Sequence, residues 1–320
     1  MSNNDAILSH LGNAPQLDAT PRFAAIIGER PSQGARSPLL WNAVFEAEDL
    51  SIRFHPFDVT AEALEPLVAT LRADERFIGG AVTMPHKEAV LPFLDRVEEP
   101  ARKIGAVNAL YRDGTQLVGT NTDGAGALSS LYECCQLRDK LLCEKVVVIG
   151  AGGAGQAVAV YLAEAMGDGG QVLVSNRNMK RAQSLARKIG SKASTVFWPP
   201  SHEDLVGVSV IVNCSSIGFA PEKEAASLPE RYLTPLSSET EPTANIRESL
   251  ETLISVGHDC VVFDIVYQPS ATMLLTIASG LGMKTLGGLP MNLEQAVIAF
   301  NKAVPYIAVS RVREIMSHVD

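Results

Sequence analysis

The sequence has few aromatic residues, few cysteines, no surplus of basic charge and no long apolar run. Aromatics make up 6% of the 320 residues, and 27 Lys and Arg stand against 36 Asp and Glu, a net charge of −9. That balance argues against a nucleic-acid partner held on a basic face. No apolar stretch approaches the roughly 18–20 residues that cross a bilayer. The opening MSNNDAILSHLGNAPQLDA carries no basic segment followed by an apolar core, so no signal peptide and no membrane partner are expected, and the cytoplasm is the expected compartment. The five cysteines (Cys134, Cys135, Cys143, Cys214, Cys260) are odd in number and lack C-x-x-C spacing, which reads as reduced packing residues. The six histidines (His10, His55, His86, His202, His258, His318) form no H-x-x-x-H pair, so no metal site is expected.

What is present is a globular composition, 46% hydrophobic and 20% charged, in a chain long enough for two cores. Residues 1–22 are polar, with Gly, Pro and Asn, and read as a loosely held leader. Phe23–Gly28 is a short apolar run ending in glycine, a buried-strand signal. Pro38 opens a helix through Phe45, Ser51–Phe57 alternates as a strand, a helix is expected over 61–73, and a third strand over Gly79–Met84. This β-α-β-α-β rhythm predicts a parallel sheet covered by helices. A second such rhythm starts at Lys145: strand Val146–Ile149, a glycine cluster, a helix to about Met166 and strand Gln171–Ser175. Buried strands follow at Val208–Val212 and Cys260–Asp264. The stretch 220–247 is rich in Pro, Ser, Thr and Glu without a period and reads as a surface insertion. The fold class is α/β.

Gly150-Ala151-Gly152-Gly153-Ala154-Gly155 lies directly between a four-residue apolar strand and a helix, the context in which G-x-G-x-x-G binds a dinucleotide. The first glycine permits a tight turn, the second lets backbone approach a pyrophosphate, and the third lets helix pack on strand. The helix N-terminus then offers free N–H groups and the positive end of its dipole. An NAD protein ordinarily places Asp or Glu at the end of the next strand. Here Ser175-Asn176-Arg177-Asn178 stands there, followed by Arg181. Guanidinium groups bind a 2′-phosphate that a carboxylate would repel, so NADP is expected over NAD.

Two further segments carry chemistry: Ala81-Val82-Thr83-Met84-Pro85-His86-Lys87-Glu88, which delivers a lysine at a strand end, and the polar loop Gly119-Thr120-Asn121-Thr122-Asp123-Gly124. In α/β sheets ligands lie beyond the carboxyl ends of strands. A lysine paired with an aspartate can hold a proton near a reacting hydroxyl. Residue type alone favours an ordinary surface Lys–Asp pair.

The ordered set Arg36-Ser37-Pro38, Val82-Thr83-Met84-Pro85-His86-Lys87, Gly105-Ala106-Val107-Asn108, Asn121-Thr122-Asp123-Gly124, the glycine loop, Asn176-Arg177 with Arg181, Asn213–Gly218, Phe263–Tyr267 and Gly288-Leu289-Pro290-Met291 with Gln295 resembles the shikimate dehydrogenase family. The likeness runs from about Phe23 to about Pro305. It implies an open three-layer substrate-binding domain over 23–122, completed by 287–320, and a Rossmann NADP-binding domain over 123–286. It implies NADP-linked interconversion of shikimate and 3-dehydroshikimate, a step of aromatic amino acid biosynthesis. Lys87 and Asp123 match the family's catalytic pair, and Ser37, Thr83, Asn108, Tyr267 and Gln295 match the positions lining the hydroxy-acid site. Asn176, Arg177, Asn178 and Arg181 match the adenosine-phosphate clamp, while Ser215 and Gly288 belong with the cofactor positions. A monomer or homodimer acting on a small hydroxy acid is the implied assembly.

Two departures bear on substrate. The usual H-S-x-S-P appears as Gly34-Ala35-Arg36-Ser37-Pro38, and N-V-T as Ala81-Val82-Thr83. Each removes a polar side chain, and a lost hydrogen bond to a charged group costs on the order of 1.5–3 kcal/mol. Quinate, an aminoshikimate or another cyclic hydroxy acid is the alternative substrate, and a metabolite-sensing regulator of the same fold the alternative class. Asn178 stands in place of the family's threonine.

Overall fold

The computed structural model describes residues 3–17, 21–135, 145–220 and 228–319. In chain order the elements are α1 (Asn3–Leu8), β1 (Arg22–Gly28), α2 (Ser37–Ala47), β2 (Ile52–Asp58), α3 (Ala61–Ala73), β3 (Phe77–Val82), α4 (His86–Ala89), β4 (Arg96–Val97), α5 (Glu99–Ile104), β5 (Ala109–Asp113) and β6 (Gln116–Thr120). There follow α6 (Asp123–Cys135), β7 (Lys145–Ile149), α7 (Gly153–Ala165), β8 (Gln171–Ser175), α8 (Met179–Ile189), β9 (Ala193–Val196), α9 (His202–Leu205) and β10 (Val208–Asn213). The last are α10 (Pro242–Val256), β11 (Val261–Asp264), α11 (Met273–Gly280), β12 (Lys284–Leu286), α12 (Gly288–Ala303) and α13 (Val309–Ser317). The chain divides into two compact units: the residues up to Thr122 together with those from Leu293 onward, and the continuous stretch Asp123–Asn292.

The first unit is three-layered because its central strand is apolar on both faces. Along β1, Ala24 and Ile26 enter one core cluster, while Phe23, Ala25 and Ile27 enter the other. The first cluster joins Trp41, Val44 and Phe45 of α2 to Val297 and Phe300 of α12 and Val312 and Met316 of α13. The second joins Leu64, Leu67, Val68 and Leu71 of α3 to Phe57 and Phe77. The sheet order is β2-β1-β3-β5-β6-β4. The three strands expected to be parallel are so, β1 running parallel to β2 and β3, and the sheet as a whole is mixed because β5, which no expectation covered, is antiparallel to both β3 and β6. The cause is local. Asp113 pairs with Gln116 across a two-residue loop in which Gly114 takes φ +60°, so β5 and β6 form a hairpin.

The expected loose leader is instead docked. Ile7 and Leu17 are buried in the second cluster, with Leu8 and Leu11 packed beside them. Asn13 brackets the edge strand, donating to the Pro56 carbonyl at 2.8 Å and accepting from the Asp58 N–H at 3.0 Å. Its four apolar side chains cover the sheet although the surrounding residues are polar.

The second unit is a six-stranded, all-parallel sheet in the order β12-β11-β10-β7-β8-β9. That is the doubly wound dinucleotide-binding order, which reverses direction where β7 meets β10. Val146–Ile149 is buried on both faces, which explains its unbroken apolar sequence. The expected surface insertion at 220–247 is exposed at 229, 230, 232, 238–241 and 243; residues 221–227 lie outside the described residues. It is also anchored: residues 242–247 begin α10, and Thr234, Leu236, Ser237 and Asn245 are buried. Asn245 accepts from the Thr234 N–H at 2.8 Å and donates to the Glu239 carbonyl at 3.0 Å. Polar side chains satisfy the backbone of this buried turn in place of a ladder, so its composition looks loop-like even where it is internal.

Candidate active site

In the second unit the glycine loop follows β7 at the point where strand order reverses. Gly150 takes φ +111°, and a Cβ there would stand 2.7 Å from the backbone of Cys214. A Cβ on Gly155 would stand 2.0 Å from the Gly150 carbonyl oxygen, so α7 approaches the loop as only glycine allows. Around Gly152, the N-cap residue of α7, nothing lies within 4 Å of the Cβ position. Tight packing at the first and third glycines with open space at the second fits a dinucleotide pyrophosphate on the helix N-terminus, where Gly153 and Ala154 form the first turn.

Asn176 reaches back to this loop, its Oδ1 accepting from the Ala151 N–H at 3.0 Å and its Nδ2 donating to the Asn178 carbonyl at 3.0 Å. Asn178 caps α8, accepting from the N–H groups of Lys180 and Arg181. Both asparagines therefore shape the turn between β8 and α8. Arg177, Lys180 and Arg181 are exposed, three cations within five residues. The Arg177 guanidinium lies 5.8 Å from the centroid of Trp198, a ring that the sequence reading passed over.

Across the reversal point, Asn213 closes β10 and binds Ser215 twice, accepting from its N–H at 3.0 Å and its hydroxyl at 2.7 Å. The Asn213 amide donates to Asp264 Oδ1 at 2.9 Å, at the end of β11. Asp264 also accepts from the Val266 N–H and the Thr272 hydroxyl, and burial pushes its carboxyl up to about 7 against those three donors. Tyr267 follows in the same turn, half-buried. Gly288 packs on that turn, its Cβ position 2.1 Å from the Ile265 carbonyl. Burial likewise pushes the Cys214 thiol up, so the cysteine is an inert packing group, as Cys260 is at about 12.

In the first unit, β3 ends at Val82 and the chain turns through Thr83 to deliver Lys87 on the short α4. Two bonds set that turn: the Thr83 N–H donates to the Ile27 carbonyl at 2.8 Å, and buried His86 places Nε2 2.8 Å from the Val59 carbonyl. The Val107 N–H then donates to the Lys87 carbonyl at 2.7 Å. Ser37 is buried at the start of α2. Arg36 beside it donates to the Val319 carbonyl at 2.8 Å, so this guanidinium is engaged by the carboxyl-terminal segment rather than facing water.

Asn108 and Gln295 are brought together around Thr122. The Asn108 amide donates to Thr122 Oγ1 at 2.9 Å and to Gln295 Oε1 at 3.1 Å, and its oxygen accepts from the Thr122 N–H at 2.7 Å. The Thr122 hydroxyl donates in turn to the Gln295 carbonyl at 3.0 Å. Thr122 was not among the expected site residues, although its neighbour Asp123 was. Asp123 is buried and is the first residue of α6, where the helix dipole favours a carboxylate. The two alanine substitutions share one environment: Ala81 is buried in the Trp41–Phe300 cluster and Ala35 packs against it. The Ala81 methyl therefore fills core.

Among the described residues no helix is long and apolar enough to cross a membrane, and no group of three or more His, Cys, Asp or Glu is placed to hold a metal. The all-parallel doubly wound sheet with its glycine loop defines a Rossmann-type dinucleotide-binding unit, here beside a separate three-layer α/β unit. The sequence profile of the shikimate dehydrogenase substrate binding domain matches residues 26–110, and that of shikimate / quinate 5-dehydrogenase matches residues 134–216. The shikimate dehydrogenase (NADP(+)) of Salinibacter ruber is 36% identical over 291 residues, covering 89% of this chain and 93% of that one. A solved shikimate 5-dehydrogenase from Thermus thermophilus, in complex with NADP(H) and shikimate, is 29% identical with a TM-score of 0.72, covering 93% of this chain and 100% of that one. A quinate dehydrogenase from Corynebacterium glutamicum in complex with NAD is 28% identical with a TM-score of 0.73, covering 93% and 99%. The chain belongs to the shikimate dehydrogenase family.

Proposed function

We propose that this protein is an NADP-dependent dehydrogenase that interconverts shikimate and 3-dehydroshikimate, working in the cytoplasm as a monomer or homodimer. The observation that carries the reading is the knot of Asn108, Thr122 and Gln295 immediately before Asp123. Its bonds hold the Thr122 N–H and hydroxyl directly before Asp123, the first residue of α6.

Lys87 and Asp123 are the catalytic pair. In the oxidative direction the ammonium of Lys87 donates a hydrogen bond to the reacting oxygen, and the carboxylate of Asp123 takes up the proton that leaves the hydroxyl as hydride departs. The nicotinamide, when bound, supplies the hydride acceptor. Ser37, Thr83, Asn108, Tyr267 and Gln295 orient the hydroxy acid. Arg177 and Arg181 bind the 2′-phosphate, with Asn176 and Asn178 shaping the turn that presents them, and Gly150, Gly152, Gly155, Ser215 and Gly288 line the dinucleotide.

The direct test is initial-rate NADPH formation by the purified protein with shikimate and quinate in parallel and NAD as the cofactor control. Turnover of shikimate with NADP is the expected result; silence on both acids sinks the reading. A second reading, in which quinate or another cyclic hydroxy acid is the better substrate, is favoured by the likeness to a quinate dehydrogenase and by the loss of polar side chains at Ala35 and Ala81. It predicts the higher kcat/KM on quinate in the same assay. Lys87→Ala should lower kcat by roughly 10²–10⁴-fold, and near-normal turnover would remove Lys87 from the mechanism. Replacing Arg177 and Arg181 together should raise KM for NADP much more than for NAD; equal losses would contradict the phosphate clamp.

A further inference from the structure

Asp264 is a wholly buried carboxyl group that the proposed chemistry does not use. It ends β11 in direct register with Asn213 at the end of β10, and three donors converge on it from three different places. Oδ1 accepts from Asn213 Nδ2 at 2.9 Å and from the Val266 N–H at 3.0 Å, and Oδ2 accepts from the Thr272 hydroxyl at 2.7 Å. Each donor belongs to a segment with its own task. Asn213 holds Ser215 and also donates to the Ile217 carbonyl at 3.2 Å, so it shapes the turn after β10. Val266 precedes Tyr267 in the turn after β11. Thr272 caps α11, accepting from the Leu275 N–H.

These turns are also wedged from the other side. The backbone of Cys214 and Ser215 lies against Gly150, and the Ile265 carbonyl lies against Gly288. Removing Asp264 would leave the two turns joined by backbone, the Ile265 N–H donating to the Asn213 carbonyl at 3.1 Å and the Cys214 N–H to the Ile149 carbonyl at 2.7 Å. It would strip the acceptor shared by the Asn213 amide, the Val266 N–H and the Thr272 hydroxyl, and with it the directional bonds that set those groups.

We propose that Asp264 is a positioning residue, a three-way crosslink that holds the Ser215 turn and the Tyr267 turn in fixed relation at the carboxyl ends of β10 and β11. The inference rests on the proposed dehydrogenase reading for its catalytic consequence. Hydrogen bonding rather than charge does the work. Burial raises this carboxyl toward neutrality, and an asparagine can accept through Oδ1 from Asn213 and Val266 while offering its amide to the Thr272 hydroxyl, which both donates and accepts.

The test compares Asp264→Asn with Asp264→Ala, and Thr272→Val serves as a milder cut of one donor. In Asp264→Ala, kcat should fall by roughly 10–100-fold, the scale of a misplacement near 1 Å. KM for NADP should rise by a smaller factor than kcat falls, because the Arg177–Arg181 clamp follows β8, away from the crosslink, although Ser215, Gly150 and Gly288 border the loosened turns. Asp264→Asn should restore most of kcat. The second readout needs no cofactor: amide hydrogen exchange of the ligand-free protein should quicken at 213–218 and 265–272 in Asp264→Ala and Thr272→Val, with β7 and β8 unchanged. If Asp264→Ala fails to fold, Thr272→Val alone decides, with a smaller kcat loss in the same direction. Wild-type exchange at both turns in the folded variants overturns the crosslink. So does an Asp264→Asn variant as impaired as Asp264→Ala, which would mean that the charge is what matters. If the wild-type protein turns over neither acid, the functional reading fails, and the exchange comparison still decides whether Asp264 ties the two turns.

Discussion

His55 sits on β2 inside the first unit, and burial, reinforced by the nearby Arg53 charge, lowers its pKa to about 4. An unfolded chain takes up the same proton near pH 6.5. Between these values the unfolded state binds a proton that the folded state refuses, so stability is lost as pH falls from about 6.5 to about 4. Asp264 runs the other way: its folded pKa, about 7, lies above the ordinary 3.8, so its contribution falls as pH rises through that interval. The two signs can be separated because the chain has only two tryptophans. Trp41 reports on the first unit and Trp198 on the second. In a Trp198→Phe background, denaturation followed by Trp41 emission should show stability falling toward acid, and His55→Gln should flatten that slope. An unchanged slope in His55→Gln would place the acid sensitivity elsewhere.

At the scale of elements, the glycine loop gives a paired prediction. Gly155→Ala forces a methyl against the Gly150 carbonyl, so α7 must move; we expect a loss of about 1–3 kcal/mol together with weaker cofactor binding. Gly152→Ala meets no protein atom within 4 Å, so the ligand-free melting temperature should hold while the rise on adding NADP disappears. A normal NADP-induced rise in Gly152→Ala would show that the pyrophosphate does not approach there. This loop was legible in the sequence because every requirement on it is local: an apolar strand, three glycines and a helix start. The helix at 61–73 was equally legible, its apolar residues repeating on one face against a polar remainder. What escaped depended on distant partners. The hairpin of β5 and β6 had its Asp113-Gly114 signal, but it lies beyond the β-α-β rhythm that the expectation covered. The Asn108–Thr122–Gln295 knot joins residues up to 187 positions apart, and nothing near Thr122 in sequence announces that its partner is on α12. The buried polar segment around Asn245 failed for a related reason, since side chains that satisfy backbone from within look like loop residues until their partners are known.

At the scale of the molecule, the first unit is assembled from two separated stretches of chain. Phe300 meets Trp41 edge-on with ring centroids 4.9 Å apart and packs at a tilt on Phe45 at 5.4 Å, so α12 closes a core that α2 opens. Glu294 of the same helix is nearly buried and holds Arg313 of α13 through two bonds of 2.7 and 2.8 Å, a bidentate pair. Phe300→Ala should therefore cost about 3–5 kcal/mol, read from Trp41 emission, while the transition reported by Trp198 stays in place. Coincident shifts of both signals would mean that the two units unfold as one.

The division of the first unit also orders events on the ribosome. Its early strands precede the second unit, with the apolar faces of Trp41, Val44 and Phe45 displayed, yet Val297 and Phe300, which cover them, are made only after that unit is complete. The second unit is continuous, so it can close while the first is still waiting. The nascent protein thus carries an adhesive face on its older half throughout the synthesis of the second unit. That interval, more than any weakness of the finished fold, is when a chaperone would be needed.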